Sequence, residues 1–152
     1  MGFFLILVGT LFVATPNLLD SVVKFLSTFK VVQVGSTNIQ IPAPQHLSDN
    51  IGKDVYLAAR NFSLVWGVFL IAMLGARFLL DSPLRRIAEN FGDIVFWLGA
   101  TYLIQTFLVA PIQTSVVDVT KWFEFWAAVI MLIGVSLIAR AIFLAGAKVR
   151  NV

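Results

Sequence analysis

Cysteine is absent from this sequence, and histidine occurs once, at His46. The first absence excludes disulfides, thiolate metal sites and a cysteine nucleophile. The second leaves any metal short of ligands: His46 sits in a proline-containing loop with Asp49 as its nearest acid, and a site needs several converging groups. The chain alone is therefore expected to hold no metal and no other cofactor. Charge is scarce as well, at 12% of residues with a net +3, and it is dispersed, so nucleic acid is not an expected partner. No glycine-rich phosphate loop and no serine with a base beside it appears, so the chain is not expected to be an enzyme by itself.

What the sequence has in abundance is apolar surface. Hydrophobic residues make up 59% of 152 positions and mean hydropathy is +0.92, more than a water-soluble domain of this size hides. The expectation is a single polytopic membrane domain over residues 1–152. Its fold class is an all-α membrane protein, four transmembrane helices with a short extracytoplasmic β-hairpin between the first and second.

Three apolar stretches obey one ruler. They run from Arg60 to Arg77, Asp93 to Pro111 and Trp122 to Arg140, each roughly 26–27 Å of helical rise, close to the ~30 Å hydrocarbon thickness. The full spans are placed at 60–80, 93–111 and 122–143. On this count Arg140 falls at the edge of its span, where its long stem reaches the headgroups, and Arg77 is its counterpart. Both are read as boundary markers ahead of voltage sensors or substrate counter-ions.

The first stretch, at 3–19, is interrupted by Thr15-Pro16-Asn17. Proline either kinks the helix or starts a new one with Thr15 as cap, so a kinked span is expected. It is read as a retained span because no basic residue precedes its apolar core. Beyond Asp20, the apolar positions Val22, Phe25, Leu26 and Phe29 share a helical face, so residues 21–30 lie in the interface or continue the span. Asp20 and Lys24 stand in the favourable i,i+4 order.

Residues 31–55 form the outer loop. Alternation in "VVQVGSTNIQIP" around Gly35-Ser36-Thr37-Asn38 predicts a β-hairpin, with Pro42 and Pro44 ending its pairing. Ser48-Asp49-Asn50 offers a cap for a helix that continues into the second span. Lysine and arginine are denser in 77–92 and 140–152, six in 29 residues, than in 20–61 and 112–121, five in 52. This places both termini in the cytoplasm of a cell-membrane protein and the hairpin outside.

Polar groups inside the spans are the remaining functional candidates. Thr101, Gln105 and Ser136 are read as helix–helix polar contacts, and Glu124 as a partner of Lys121 or of interface water. Ala72 and Ala76 are four apart, and Gly67, Gly75, Gly99 and Gly134 give further places for backbones to approach. Trp66, Trp97, Trp122 and Trp126 are read as an interfacial belt.

The expected function is that of a non-catalytic accessory or structural subunit of a larger multi-subunit integral membrane complex, such as a redox or respiratory one. Its partners are the lipid bilayer and other membrane subunits. Val32, Val34, Ile39 and Ile41 of the hairpin and Ala72 and Ala76 of the second span are the expected interface. The alternative is a small homo-oligomeric channel or transporter with Thr101 and Gln105 along its path.

Overall fold

A computed structural model of the chain describes residues 2–34, 36, 38–44, 50–80, 82–113 and 119–149. Helix α1 (Gly2–Ala14) and helix α2 (Leu18–Ser27) precede strands β1 (Phe29–Gln33) and β2 (Gln40–Pro44). Helices α3 (Asn50–Leu79), α4 (Leu84–Leu103), α5 (Ala110–Gln113) and α6 (Val119–Val149) follow. Three segments, Gly52–Leu79, Leu84–Val109 and Thr120–Gly146, are long and apolar enough to cross a membrane. A fourth is obtained if α1 and α2 count as one bent span.

That bend is 88°, sharper than the kink expected from the sequence. The chemistry of Thr15-Pro16-Asn17 accounts for it. A residue before proline is driven out of the α region, and Asn17 takes φ 60, a left-handed conformation that asparagine tolerates better than most residues. The break leaves α1 with 13 residues, about 20 Å of rise and short of a crossing. α2 turns away as the amphipathic element, with the Asp20–Lys24 ion pair formed at 2.6 Å.

The hairpin is antiparallel and longer than expected, pairing Phe29 with Pro44 through to Gln33 with Gln40. Pro42 does not end it, Pro44 is in its last described pair, and parity explains how both prolines are accommodated. The Val34 N–H donates to the Ile39 carbonyl at 2.9 Å, so hydrogen-bonded pairs alternate from there to Val32–Ile41 and Lys30–Ala43. Both prolines fall on the intervening pairs, where an N–H would point away from the partner strand. Gly35 and Thr37 of the expected turn, with Ser48 and Asp49 of the expected cap, lie outside the described residues.

α4 is the middle helix. It packs against α3 on one side and α6 on the other, while α1 lies against α3, giving an open row of helices. Glycines set the approach distances. A Cβ on Gly67 would meet Leu98 at 2.7 Å, and one on Gly99 would collide with Leu132; Gly75 and Gly134 face open space. The main apolar core lies under the hairpin, built from Phe25, Ala43, Tyr56, Leu108, Trp122 and Phe125. Away from it the helices are covered sparsely, Thr120–Gly146 least of all.

α4 runs on through a π-helical turn, Ile104–Val109, into α5. Pro111 lies just beyond. A proline inside a helix lacks its N–H and crowds the carbonyl four residues back, that of Phe107, and a local π adjustment absorbs such a misfit. The helix therefore continues to Gln113, past Pro111, where the sequence reading places its end. At its other end it begins at Leu84 rather than Asp93, so Asp93 is interior to the helix.

Candidate functional site

The polar groups of the helical row collect at two arginines. On the α4–α6 seam, Gly92 removes the side chain that would block Arg140: a Cβ there would come within 2.8 Å of Arg140 Nε and 3.1 Å of the Ser136 carbonyl. Through that gap Arg140 Nη2 donates to Asp93 Oδ1 at 2.7 Å. Arg140 Nε is buried without an acceptor, so the guanidinium is committed to Asp93 by one edge. Arg140 thus turns across to α4 instead of running out along its own helix as a boundary marker. The reason is an anionic partner on a different helix. Arg77, its supposed counterpart, donates to the Arg86 carbonyl and fastens the α3–α4 turn.

One turn before Asp93, Asn90 is 2% exposed and donates through Nδ2 to the Leu70 carbonyl of α3 at 3.0 Å. Asn90 and Asp93 therefore join the central helix to its two neighbours from adjacent positions. The sequence reading did not single out Asn90. Its i,i+3 spacing to Asp93 is the signal that puts the two side chains near one another on α4.

The second arginine is Arg60, on the part of α3 nearer the hairpin. Its Nη1 donates to Gln105 Oε1 at 2.8 Å; its Nε and Nη2 donate to Asn61 Oδ1 at 3.2 and 2.9 Å. Gln105 reaches this position from the π turn, whose extra residue rotates the helix face. Such turns recur at functional sites. Of the three polar contacts expected between helices, Gln105 makes one. Thr101 and Ser136 instead donate to carbonyls of their own helices, those of Trp97 and Ile133, at 2.9 and 2.8 Å. A hydroxyl one turn from a carbonyl satisfies itself locally without a neighbour.

Trp122 holds the hairpin down. Its Nε1 donates to the Pro42 carbonyl at 3.1 Å, and its ring meets Phe29 and Phe125. Trp66 and Trp97 lie near the middle of α3 and of α4, their centroids 6.4 Å apart, in an aromatic seam with Phe62 and with Phe3 from the start of α1. Lys121 and Glu124 form their pair at 2.6 Å. Of the expected interface residues, Val34 is buried and Val32 and Ile41 pack on the core, whereas Ile39, Ala72 and Ala76 are exposed.

His46 lies outside the described residues. Among the described residues, no three His, Asp or Glu side chains gather as metal ligands would. The arrangement matches the charge of Arg140 with Asp93 and orients that of Arg60 within the helical row. Comparison with protein-family models, curated proteins and solved structures finds no match for this chain, so its function is read from this geometry.

Proposed function

We propose that the chain is a non-catalytic integral membrane subunit of a larger complex. One observation carries the proposal: the helices form an open row that is tied together from within, Arg140 bonding Asp93, Arg60 bonding Gln105 and Asn90 bonding the Leu70 carbonyl. Helix association in lipid relies on close packing and on such bonds. A row that uses these groups internally offers its neighbours mainly apolar faces and small residues. Gln105 and Thr101, the residues that would line a transport path, are occupied by Arg60 and by the Trp97 carbonyl.

In this proposal both termini are cytoplasmic and the hairpin is external, following the density of basic residues. The hairpin's inner residues serve the chain's own core, so the partner surface moves to the exposed face of α3 around Ala72 and Ala76. Native gel electrophoresis of gently solubilised source membranes tests the reading. The chain should migrate far above its own 16.8 kDa together with different proteins. A stable monomer, or a pure homo-oligomer that conducts ions in liposomes, would replace it with a channel or transporter.

A further inference from the structure

Arg60 differs from Arg140, the other arginine that bonds a side chain across the row, in the nature of its acceptors. Arg140 faces a carboxylate, and Lys24, Arg85 and Lys121 also have carboxylate partners. Both acceptors of Arg60 are neutral amides, and among the described residues it has no acidic partner. Its positive charge is held in place but not compensated. A guanidinium has five N–H groups, and the bonds to Asn61 and Gln105, which engage three of them among the described residues, hold it in a fixed orientation.

A groove begins beside it. Asn61, which accepts from Arg60, also lines a cleft of about 410 Å³ between α1 and α3, walled by Phe3, Leu7, Thr10, Ala14 and Val65. That volume is typical of ligand clefts, roughly 300–1,000 Å³. The lining is apolar apart from Thr10 and Asn61, and the Thr10 hydroxyl is already engaged by the Ile6 carbonyl. A second apolar groove of about 330 Å³ runs past Ile41, Trp122 and Trp126. The nearby Lys121 is paired with Glu124, so no uncompensated charge marks that groove.

We propose that Arg60 and the α1–α3 groove bind one glycerophospholipid, the phosphate at the guanidinium and one acyl chain in the cleft. Guanidinium and phosphate match in charge and in their paired hydrogen-bond geometry, and the apolar walls match the chain. The 88° corner between α1 and α2 leaves the cleft beside a shortened first helix, where a full span would otherwise lie.

Native mass spectrometry of the delipidated protein in detergent tests this with three probes. They are phosphatidylglycerol, a sugar-headed diacylglycerol with the same chains but no phosphate, and glycerol 3-phosphate. Wild type should retain one phosphatidylglycerol and bind the other two weakly. Arg60→Gln should weaken phosphatidylglycerol about tenfold, Arg60→Lys should restore part of the loss, and Ala14→Trp, which fills the groove from an exposed position, should abolish retention. Equal retention by wild type and a folded Arg60→Gln overturns the proposal, as does equal retention of the two lipids. Effective competition by glycerol 3-phosphate would reduce the site to an anion site without a chain groove and also overturns it. Should Arg60→Gln fail to fold, undiminished retention by Ala14→Trp is decisive against it.

Discussion

Arg140 Nη2 and Asp93 Oδ1, on helices 47 residues apart in sequence, meet at 2.7 Å across the α4–α6 seam. This accounts for an arginine within an apolar run: its charge is matched by a carboxylate on the middle helix, and Gly92 keeps the path open. The side chains are 35% and 48% exposed. A pair this open would be weak in water, but the apolar surroundings proposed here exclude the competing solvent and leave either member costly without the other.

Asp93→Leu or Arg140→Leu alone is therefore predicted to destabilise the protein by about 1.5–3 kcal/mol, the loss of a charge-assisted bond with its partner left unpaired. The double substitution should cost less than the sum, with a coupling of about 0.5–3 kcal/mol. Arg140→Lys retains the charge and should fall between wild type and Arg140→Leu. Reversible unfolding in mixed detergent–SDS micelles measures all four, and strict additivity of the two Leu substitutions would show that the pair contributes nothing.

Glycine positions divide into close contacts and open ones. Gly92→Ala would press a methyl on the Ser136 backbone carbonyl at 3.1 Å, which cannot rotate away, so the α4–α6 seam should loosen by about 1–3 kcal/mol. Gly75→Ala and Gly134→Ala meet nothing within 4 Å and should be neutral or stabilising by up to about 1 kcal/mol through helix propensity. The same micelle titration ranks the three. A Gly92→Ala variant as stable as Gly75→Ala would contradict the seam geometry.

What the sequence disclosed and what it withheld follow from distance along the chain. Asp20–Lys24 and Lys121–Glu124 are separated by one helical turn, so their spacing alone predicted the pairs now seen. The hairpin was legible from alternation, and its prolines become legible once the bonding parity is known. Arg140–Asp93, Arg60–Gln105 and Asn90–Leu70 join residues 47, 45 and 20 apart. A count along one helix cannot see them, because they depend on which helix lies in the middle of the row. Pro111 was in view as a span end, yet its effect is expressed upstream as the π turn that presents Gln105.

The hairpin offers a parity test. Ile41 belongs to a hydrogen-bonded pair with Val32 by the alternation argued above, whereas Pro42 does not. Ile41→Pro should detach the hairpin, while Pro42→Ala should change stability by less than about 1 kcal/mol. Trp122→Phe removes the bond to the Pro42 carbonyl and should cost about 1 kcal/mol. Amide exchange at Val32 and Val34 is the readout: acceleration in Ile41→Pro and Trp122→Phe but not in Pro42→Ala is expected. Equal protection in all three variants would mean the strand register is different.

The absence of cysteine makes single-cysteine variants clean probes of orientation. Ser36 lies in the exposed hairpin and Ser82 in the turn between α3 and α4, so α3 separates them. In intact cells a membrane-impermeant maleimide should label Ser36→Cys and should label Ser82→Cys only after permeabilisation. Labelling of both without permeabilisation would remove the membrane-spanning reading of α3, and the reverse pattern would invert the topology.

The partner surface proposed on α3 can be tested apart from the fold. Ala72 and Ala76 lie four residues apart on α3, and both are exposed in the single chain. Small residues at this spacing let a neighbouring helix approach closely, and larger ones hold it off. Because neither position is covered by its own chain, Ala72→Leu and Ala76→Leu should leave the unfolding midpoint of the isolated protein nearly unchanged, within about 0.5 kcal/mol as for other open surface sites. In native membranes the same variants should shift the chain toward lower mass on native gels, with loss of at least half of the co-migrating protein, because the displaced helix loses its packing contacts. Ala127 and Ala141, exposed on α6, serve as controls in the same form. If all four leucine variants migrate with wild type, the α3 face is not the contact. If both α3 variants lower the stability of the isolated chain, the face is part of its own packing instead.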